Sequence, residues 1–211
     1  MLVRKLPSAE QKAIMNYRRE ADRRRGLYGK YLLHYAYHEV MGRTAFPLET
    51  ECGKYGKPYI KGQDFCYNIS HSENVIVCAA ADYEVGIDTE AVSNITLDMK
   101  EIICRNGEDK NLPKEESAAI EYLCKLWTVK ESYVKWLGTG FSIPFGSISA
   151  DVTDERMTCT SQERTEDACK FQSIRIDDGY YVTVCMSSEE SGEMRLERVS
   201  KEMLHEFCMK I

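Results

Sequence analysis

The sequence has no apolar run long enough to cross a bilayer, no C-x-x-C pair and no surplus of basic residues. Each absence excludes a class of protein. A membrane-spanning helix needs ~20 consecutive apolar residues, and the first residues, MLVRKLPSAEQ, lack the apolar core of a secretory signal. A cytoplasmic location with no membrane partner is therefore expected. The nine cysteines are odd in number and scattered, which suggests neither a disulfide framework nor a zinc knuckle. They read as small apolar core residues in a reducing compartment. With 28 Lys and Arg against 34 Asp and Glu the net charge is −6, so no nucleic-acid partner is expected and any basic site must be local. No period recurs that would make a solenoid.

What is present is ordinary for a soluble globular protein: 43% hydrophobic and 29% charged residues in a chain of 211. That length buries a core without metal or disulfide staples, in one domain or two small packed lobes. Residues 8–25, SAEQKAIMNYRREADRRR, are expected to be helical, with Ser8 and Gln11 forming a capping box. The helical pattern resumes in LYGKYLLHYAYHEVMG, where Leu32, Leu33, Ala36 and Val40 share a stripe that should face the core. Arg18, Arg19, Arg23, Arg24 and Arg25 read either as a solvated face or as an anion clamp.

In FCYNISHSENVIVCAAADYEVGIDTE, the run NVIVCAAA, the turn DYE and the run VGIDTE read as a β-hairpin. Residues two apart on a strand face the same way, so Asp88 and Glu90 project together while Ile87 and Thr89 point to the other side. Two like carboxylates repel. They sit on a solvated edge or are held by a divalent cation, for which magnesium, an oxygen-seeking ion that retains waters, is well suited. His71, in SHS, reads on its own as a satisfied loop histidine.

The second half opens with AVSNITLDMKEIICRNGEDKNLPKEESAAIEY, broken by NGEDKN and Pro113. The helix LCKLWTVKESYVKWLG follows, stopped by Gly138. FSIPFGSISADV and FQSIRIDDGYYVTVCMS supply strands, with Asp177, Asp178 and Gly179 signalling a tight hairpin. The fold expected is α+β, with two similar lobes in which a small antiparallel sheet packs on a long helix. Glu131 and Lys135 stand four apart on one helix face. They make either an ion pair worth a few tenths of a kcal/mol or a metal carboxylate beside a phosphate lysine. Tyr133 and Trp136 lie on another face and read as core.

Four ordered motifs, YGKP (Tyr55 to Pro58), NISHS (Asn68 to Ser72), GIDTE (Gly86 to Glu90) and WTVKESYVK (Trp127 to Lys135), resemble the 4′-phosphopantetheinyl transferase superfamily. Their spread over both halves of one chain is similar to the surfactin-synthetase-activating type rather than the short trimeric type. The resemblance runs from about Lys12 to Pro144 and implies two pseudo-twofold lobes, residues 1–95 on the nucleotide side and 96–211 carrying the Glu/Lys helix. It implies transfer of 4′-phosphopantetheine from coenzyme A to a serine hydroxyl of an apo carrier protein, acyl or peptidyl, with release of 3′,5′-ADP. By position, Asp88, Glu90 and Glu131 match the magnesium ligands and Lys135 the lysine at the coenzyme A phosphates. Ser70 and His71 match the motif beside the nucleotide phosphates, and Lys57 and Pro58 the adenine end. Arg25 and Lys12 match basic residues at the 3′-phosphate. Glu131, directly or through a metal-bound water, is the candidate base. The resemblance further implies an acidic carrier and a monomer whose cleft lies between its own lobes. It does not choose among fatty-acid, polyketide, nonribosomal-peptide and lysine-type pathways.

The chain departs from the family pattern at Thr89, usually aliphatic, at Ser132 for a common alanine, at Thr139 where many members have lysine, and at Ala9 where some do. None of these removes a carboxylate. A non-catalytic coenzyme A or nucleotide-binding module of the same fold is the alternative, and the intact carboxylates weigh against it.

Overall fold

The computed structural model describes residues 2–105, 107–153, 157–161, 168–176, 179–190 and 194–211. Two helices of 22 residues organise it, α2 (Glu20–Met41) and α4 (Glu116–Leu137). Each ends at a glycine in the left-handed conformation, Gly42 and Gly138, which closes the last turn on His38 O and Val134 O respectively. Helix α4 starts on the Glu115 side chain, which accepts from the amides of Ser117 and Ala118. The helical run after Pro113 is thus continuous with the Glu/Lys helix.

The expected helix over 8–25 is two helices. α1 (Ser8–Met15) stops before Asn16 and α2 begins at Glu20. Ser8 makes no cap bond; Gln11 Nε2 instead donates back to Leu6 O at 2.7 Å. The buried stripe of α2 also differs from expectation. Tyr31, Leu33, His34 and Tyr37 face inward, and Val40 is 45% exposed. Tyrosine and histidine carry the stripe because each polar tip finds a partner: Tyr37 Oη donates to Gln63 Oε1, and His34 Nδ1 pairs with Ala45 O.

The described strands form four small antiparallel sheets. β1 (Thr50–Cys52) pairs with β2 (Pro58–Ile60), and β3 (Cys66–Ser72) with β4 (Val75–Ala81). β5 (Val85–Ala91) and the hairpin β8 (Cys169–Ile176) and β9 (Tyr180–Ser187) form a sheet in the order β5-β9-β8. A short α3 (Lys100–Ile103) precedes α4, and β6 (Ser149–Val152) pairs with β7 (Met157–Thr160). Short 3₁₀ turns at 140–142 and 145–147 occupy the segment expected to lead a strand from Phe141. Asp177 and Asp178 of the second hairpin signal lie outside the described residues. The chain ends in α5 (Lys201–Lys210), packed with α1 and α2 around Leu6, Ile14, Tyr31, Leu204 and Cys208.

The expected β4–β5 hairpin does not form. β4 pairs back with β3 around Glu73 and Asn74, while β5 crosses to the C-terminal half and pairs with β9. Its partner's sequence explains this: YYVTVCMS puts Met186, Val184 and Val182 opposite Val85, Ile87 and Thr89 in turn, making an apolar layer closed by Val77 and Ala79 of β4. β5's other edge is met by side chains rather than backbone. Ile87 N–H donates to Asn68 Oδ1 at 2.9 Å and Ala91 N–H to Ser72 Oγ at 3.1 Å.

The result is α+β. α2 packs on the β3–β4 hairpin through Leu33 and Tyr37 against Phe65 and Tyr67. α4 packs on the β5-β9-β8 sheet, with Tyr133 and Trp136 among Ile148, Cys169 and Cys185. Among the described residues no helix is long and apolar enough to cross a membrane, and six of the nine cysteines are buried thiols, as a core role requires.

Candidate functional site

Gly86, Asp88 and Glu90 lie on the face of β5 turned toward α4. A Cβ on Gly86 would stand 2.1 Å from Ser132 O and 2.4 Å from Trp136 N. Only glycine lets helix and strand come this close. The approach brings Lys135, from the last turn of α4, onto Asp88, on the strand that the first half adds to the β5-β9-β8 sheet, and onto Ser70, from the first half's β3–β4 hairpin.

Asp88 is 5% exposed. Its Oδ1 accepts from Ser70 Oγ at 2.7 Å and from Lys135 Nζ at 2.5 Å, and Lys135 also donates to Ser70 Oγ at 2.9 Å. Its Oδ2 is buried with no hydrogen-bond partner among the described residues. Burial pushes the Asp88 carboxyl above its ordinary value, against the pull of Lys135 and Ser70, with Glu90 adding to the rise. Glu131 is raised for the same reasons, burial first and the Asp88 charge second. Glu90 accepts from Ser72 Oγ, from Asn94 Nδ2 at 2.8 Å and from its neighbour's N–H, Ala91, at 2.8 Å.

Lys135 thus pairs with Asp88 across the halves rather than with Glu131 on its own helix. An exposed i,i+4 pair is worth only about 0.2–0.5 kcal/mol, and the more buried carboxylate competes better. Among the described residues no three carboxylate, histidine or cysteine side chains converge on one metal position. The donor set nevertheless fits a hard divalent ion. It is all oxygen, it includes an unpartnered buried carboxylate oxygen, and its mutual repulsion is what a cation relieves.

Around this centre stand the basic residues. His71, next along β3, is pushed below its ordinary value by partial burial and by Arg25, with Lys135 contributing. Arg25 pairs with Asp22 and donates to Glu73 O at 2.9 Å, beside the β3–β4 turn. Lys57 reaches the end of α4: Nζ donates to Glu84 at 2.5 Å, Val85 O at 3.0 Å and Trp136 O at 3.2 Å, and its stem packs on Gly138. Pro58 follows it as the first residue of β2. Lys12 is exposed on α1, two residues before buried Ile14 and so on the opposite side of that helix from it.

Three contributors carried no signal in sequence. Ser72 and Asn94 hold Glu90, and Lys130 precedes Glu131 on α4. Lys130 is fully buried, donating to Glu108 Oε2 at 2.6 Å and to Ile103 O at 3.0 Å. Glu108 in turn accepts from the amides of Arg105 and Ala150, so this pair pins the middle of α4 to α3 and β6. A lysine beside a motif glutamate reads as surface until the fold shows the cavity that takes it.

Residues 84–185 match the family model of the 4′-phosphopantetheinyl transferase superfamily, and residues 1–83 match that of the 4′-phosphopantetheinyl transferase N-terminal region. The chain is 31% identical over 166 residues to a 4′-phosphopantetheinyl transferase of Bacillus subtilis, covering 78% of this chain and 74% of that protein. It is 30% identical over 176 residues to 4′-phosphopantetheinyl transferase psf-1 of Bacillus pumilus, covering 82% and 75%. With 4′-phosphopantetheinyl transferase gsp of Aneurinibacillus migulanus the identity is 29% over 177 residues, covering 83% and 74%.

Proposed function

The chain belongs to the 4′-phosphopantetheinyl transferase superfamily and is an enzyme of that kind; on that premise we propose that it takes phosphopantetheine from coenzyme A and places it, with magnesium, on a serine hydroxyl of an apo carrier protein. The observation that carries this reading is the Asp88 centre. A buried carboxylate with one oxygen unpartnered, a second carboxylate raised beside it and an ammonium from the facing helix are what a metal-bound pyrophosphate needs.

Asp88, Glu90 and Glu131 are the residues that would hold magnesium, which when bound supplies charge neutralisation at the pyrophosphate. Lys135 donates to a phosphate oxygen and steadies the charge that grows on the departing 3′,5′-ADP. The serine oxygen forms a bond to the β-phosphorus as the bond to the ADP oxygen breaks, and its proton goes to Glu131, directly or through one water. The raised pKa of Glu131 makes it a better base than an ordinary carboxylate. Ser70 and His71 line the phosphates from β3. Arg25 takes the 3′-phosphate with Lys12, and Lys57 and Pro58 border the adenine. The acceptor is an acidic acyl or peptidyl carrier, attracted by this local basic lane on an acidic molecule.

Intact-mass spectrometry of an apo acyl carrier protein incubated with the enzyme, coenzyme A and magnesium tests this. The carrier should gain one phosphopantetheine, and chelator should prevent it. Binding of coenzyme A without any gain, across several carriers, would replace the proposal with the non-catalytic binding module.

A further inference from the structure

Both carboxylates of β5 are held by one oxygen only. On Asp88, Ser70 and Lys135 both bind Oδ1, and Oδ2 is unpartnered among the described residues. On Glu90, the hydroxyl of Ser72, the amide of Asn94 and the backbone N–H of Ala91 all converge on Oε1, and no described residue bonds Oε2. Three donors on one oxygen are more than a solvated edge glutamate collects.

The direction of the Ser72 hydroxyl is forced. A serine oxygen has one proton to give and two lone pairs to receive. Both lone pairs are taken, by Ala91 N–H at 3.1 Å and by Asn94 Nδ2 at 3.2 Å, so the proton has only Glu90 Oε1 to go to. Ser72 is 6% exposed, and its place at the end of β3 is fixed by seven paired residues along the β3–β4 hairpin. Asn94 is delivered by the 3₁₀ turn 92–94 that follows β5 at once. A rigid strand and a tight turn therefore grip the same carboxylate oxygen from two sides.

We propose that Ser72 and Asn94 are positioning residues that clamp Glu90 by Oε1 and so present Oε2, matching the free Oδ2 of Asp88, to the divalent cation. The clamp rests on the reading of Asp88 and Glu90 as cation ligands. Ligating carboxylates depend on such outer partners, whose loss weakens metal affinity by about 10–100-fold.

The test uses Mn²⁺ alone as the probe, titrated into the full chain without coenzyme A or carrier, with free Mn²⁺ counted by electron paramagnetic resonance. Ser72→Ala should raise the Mn²⁺ dissociation constant by about tenfold, Asn94→Ala should act in the same direction, and Ser72→Thr, which keeps the hydroxyl, should restore affinity. In the double variant Ser72→Ala with Glu90→Gln, the serine change should add nothing to the glutamine change. A loss that adds in full to that of Glu90→Gln marks a merely structural serine and overturns the proposal, as does an unchanged affinity in Ser72→Ala. Asp88→Asn separates the two levels: if it binds Mn²⁺ like the parent chain, the ligand reading itself fails, whereas if it abolishes binding while Ser72→Ala does not weaken it, only the clamp fails.

Discussion

Lys135 holds two partners from two different strands, and its replacement should expose both roles. On the proposed reading Lys135→Met removes one donor to the phosphates, for which a kcat loss of about 10²–10³-fold is expected. Lys135→Arg should not restore it, because a forked guanidinium does not fit the single point shared by Asp88 Oδ1 and Ser70 Oγ. Single-turnover kinetics with saturating coenzyme A would read the loss, and near-full activity in either variant would remove Lys135 from the chemistry. A second residue, His34, gives a pH signature. It is buried, and burial lowers its pKa below the ordinary histidine value, with the Ala45 carbonyl pulling the other way. The unfolded chain therefore takes up the proton first as pH falls. Stability is fully present above about 6.5, the unfolded value, and declines below it toward the lower folded value. Denaturant midpoints should drop over that window, and His34→Gln should flatten the drop. At this scale strand and helix periods put Asp88 with Glu90, and Glu131 with Lys135, on shared faces, and only the family resemblance singled them out as site residues. Ser72 and Asn94 were hidden, since hydroxyls and amides occur everywhere and only the fold says which carboxylate they touch.

Among the elements, β5 and α4 matter most, and Gly86 sets the distance between them. Gly86→Ala forces the added methyl against the backbone of Ser132 and Trp136, which no rotamer change relieves. A destabilisation at or beyond about 3 kcal/mol is expected, the upper end for overpacking, together with loss of transfer; thermal unfolding of the variant would show it. β5's other edge gives a milder prediction. Asn68→Ala orphans the buried Ile87 N–H, for which about 1–3 kcal/mol is the usual penalty. A variant as stable as the parent would mean that water replaces Asn68. The C-terminal end of α4 was legible from Gly138 and its buried aromatics from their spacing, whereas its start at Glu116 was not. The partner of β5 was not, because a short apolar strand followed by a turn is consistent with a hairpin to either neighbour. What decided was a distant strand, β9, whose Val182, Val184 and Met186 complete the layer with β4. The inward stripe of α2 escaped for a related reason: Tyr37 and His34 bury well once Gln63 and the Ala45 carbonyl supply their partners.

At the level of the molecule, each half contributes a 22-residue helix on an antiparallel sheet, and residues from both halves meet at Asp88. Ser70 comes from the first half, Lys135 from the second. A site that one chain completes by itself needs no second copy, so sedimentation should show one species of 24.3 kDa. A stable dimer at enzyme-assay concentrations would contradict this. The α+β class was readable from sequence because helical and strand periods alternate clearly, whereas the way the halves interlock depends on pairing that no local pattern records.

That interlocking has a consequence for how the chain matures. Gly86 pairs with Cys185, nearly a hundred residues downstream. During synthesis β5 leaves the ribosome long before β9 exists, and its ladder edge stays open until almost the whole chain has been made. Such distant pairing slows folding and leaves an exposed strand edge prone to wrong partners. Asp88 and Glu90, which β5 carries, are thus among the last groups to reach their places, and chains truncated before β9 should accumulate as aggregation-prone intermediates.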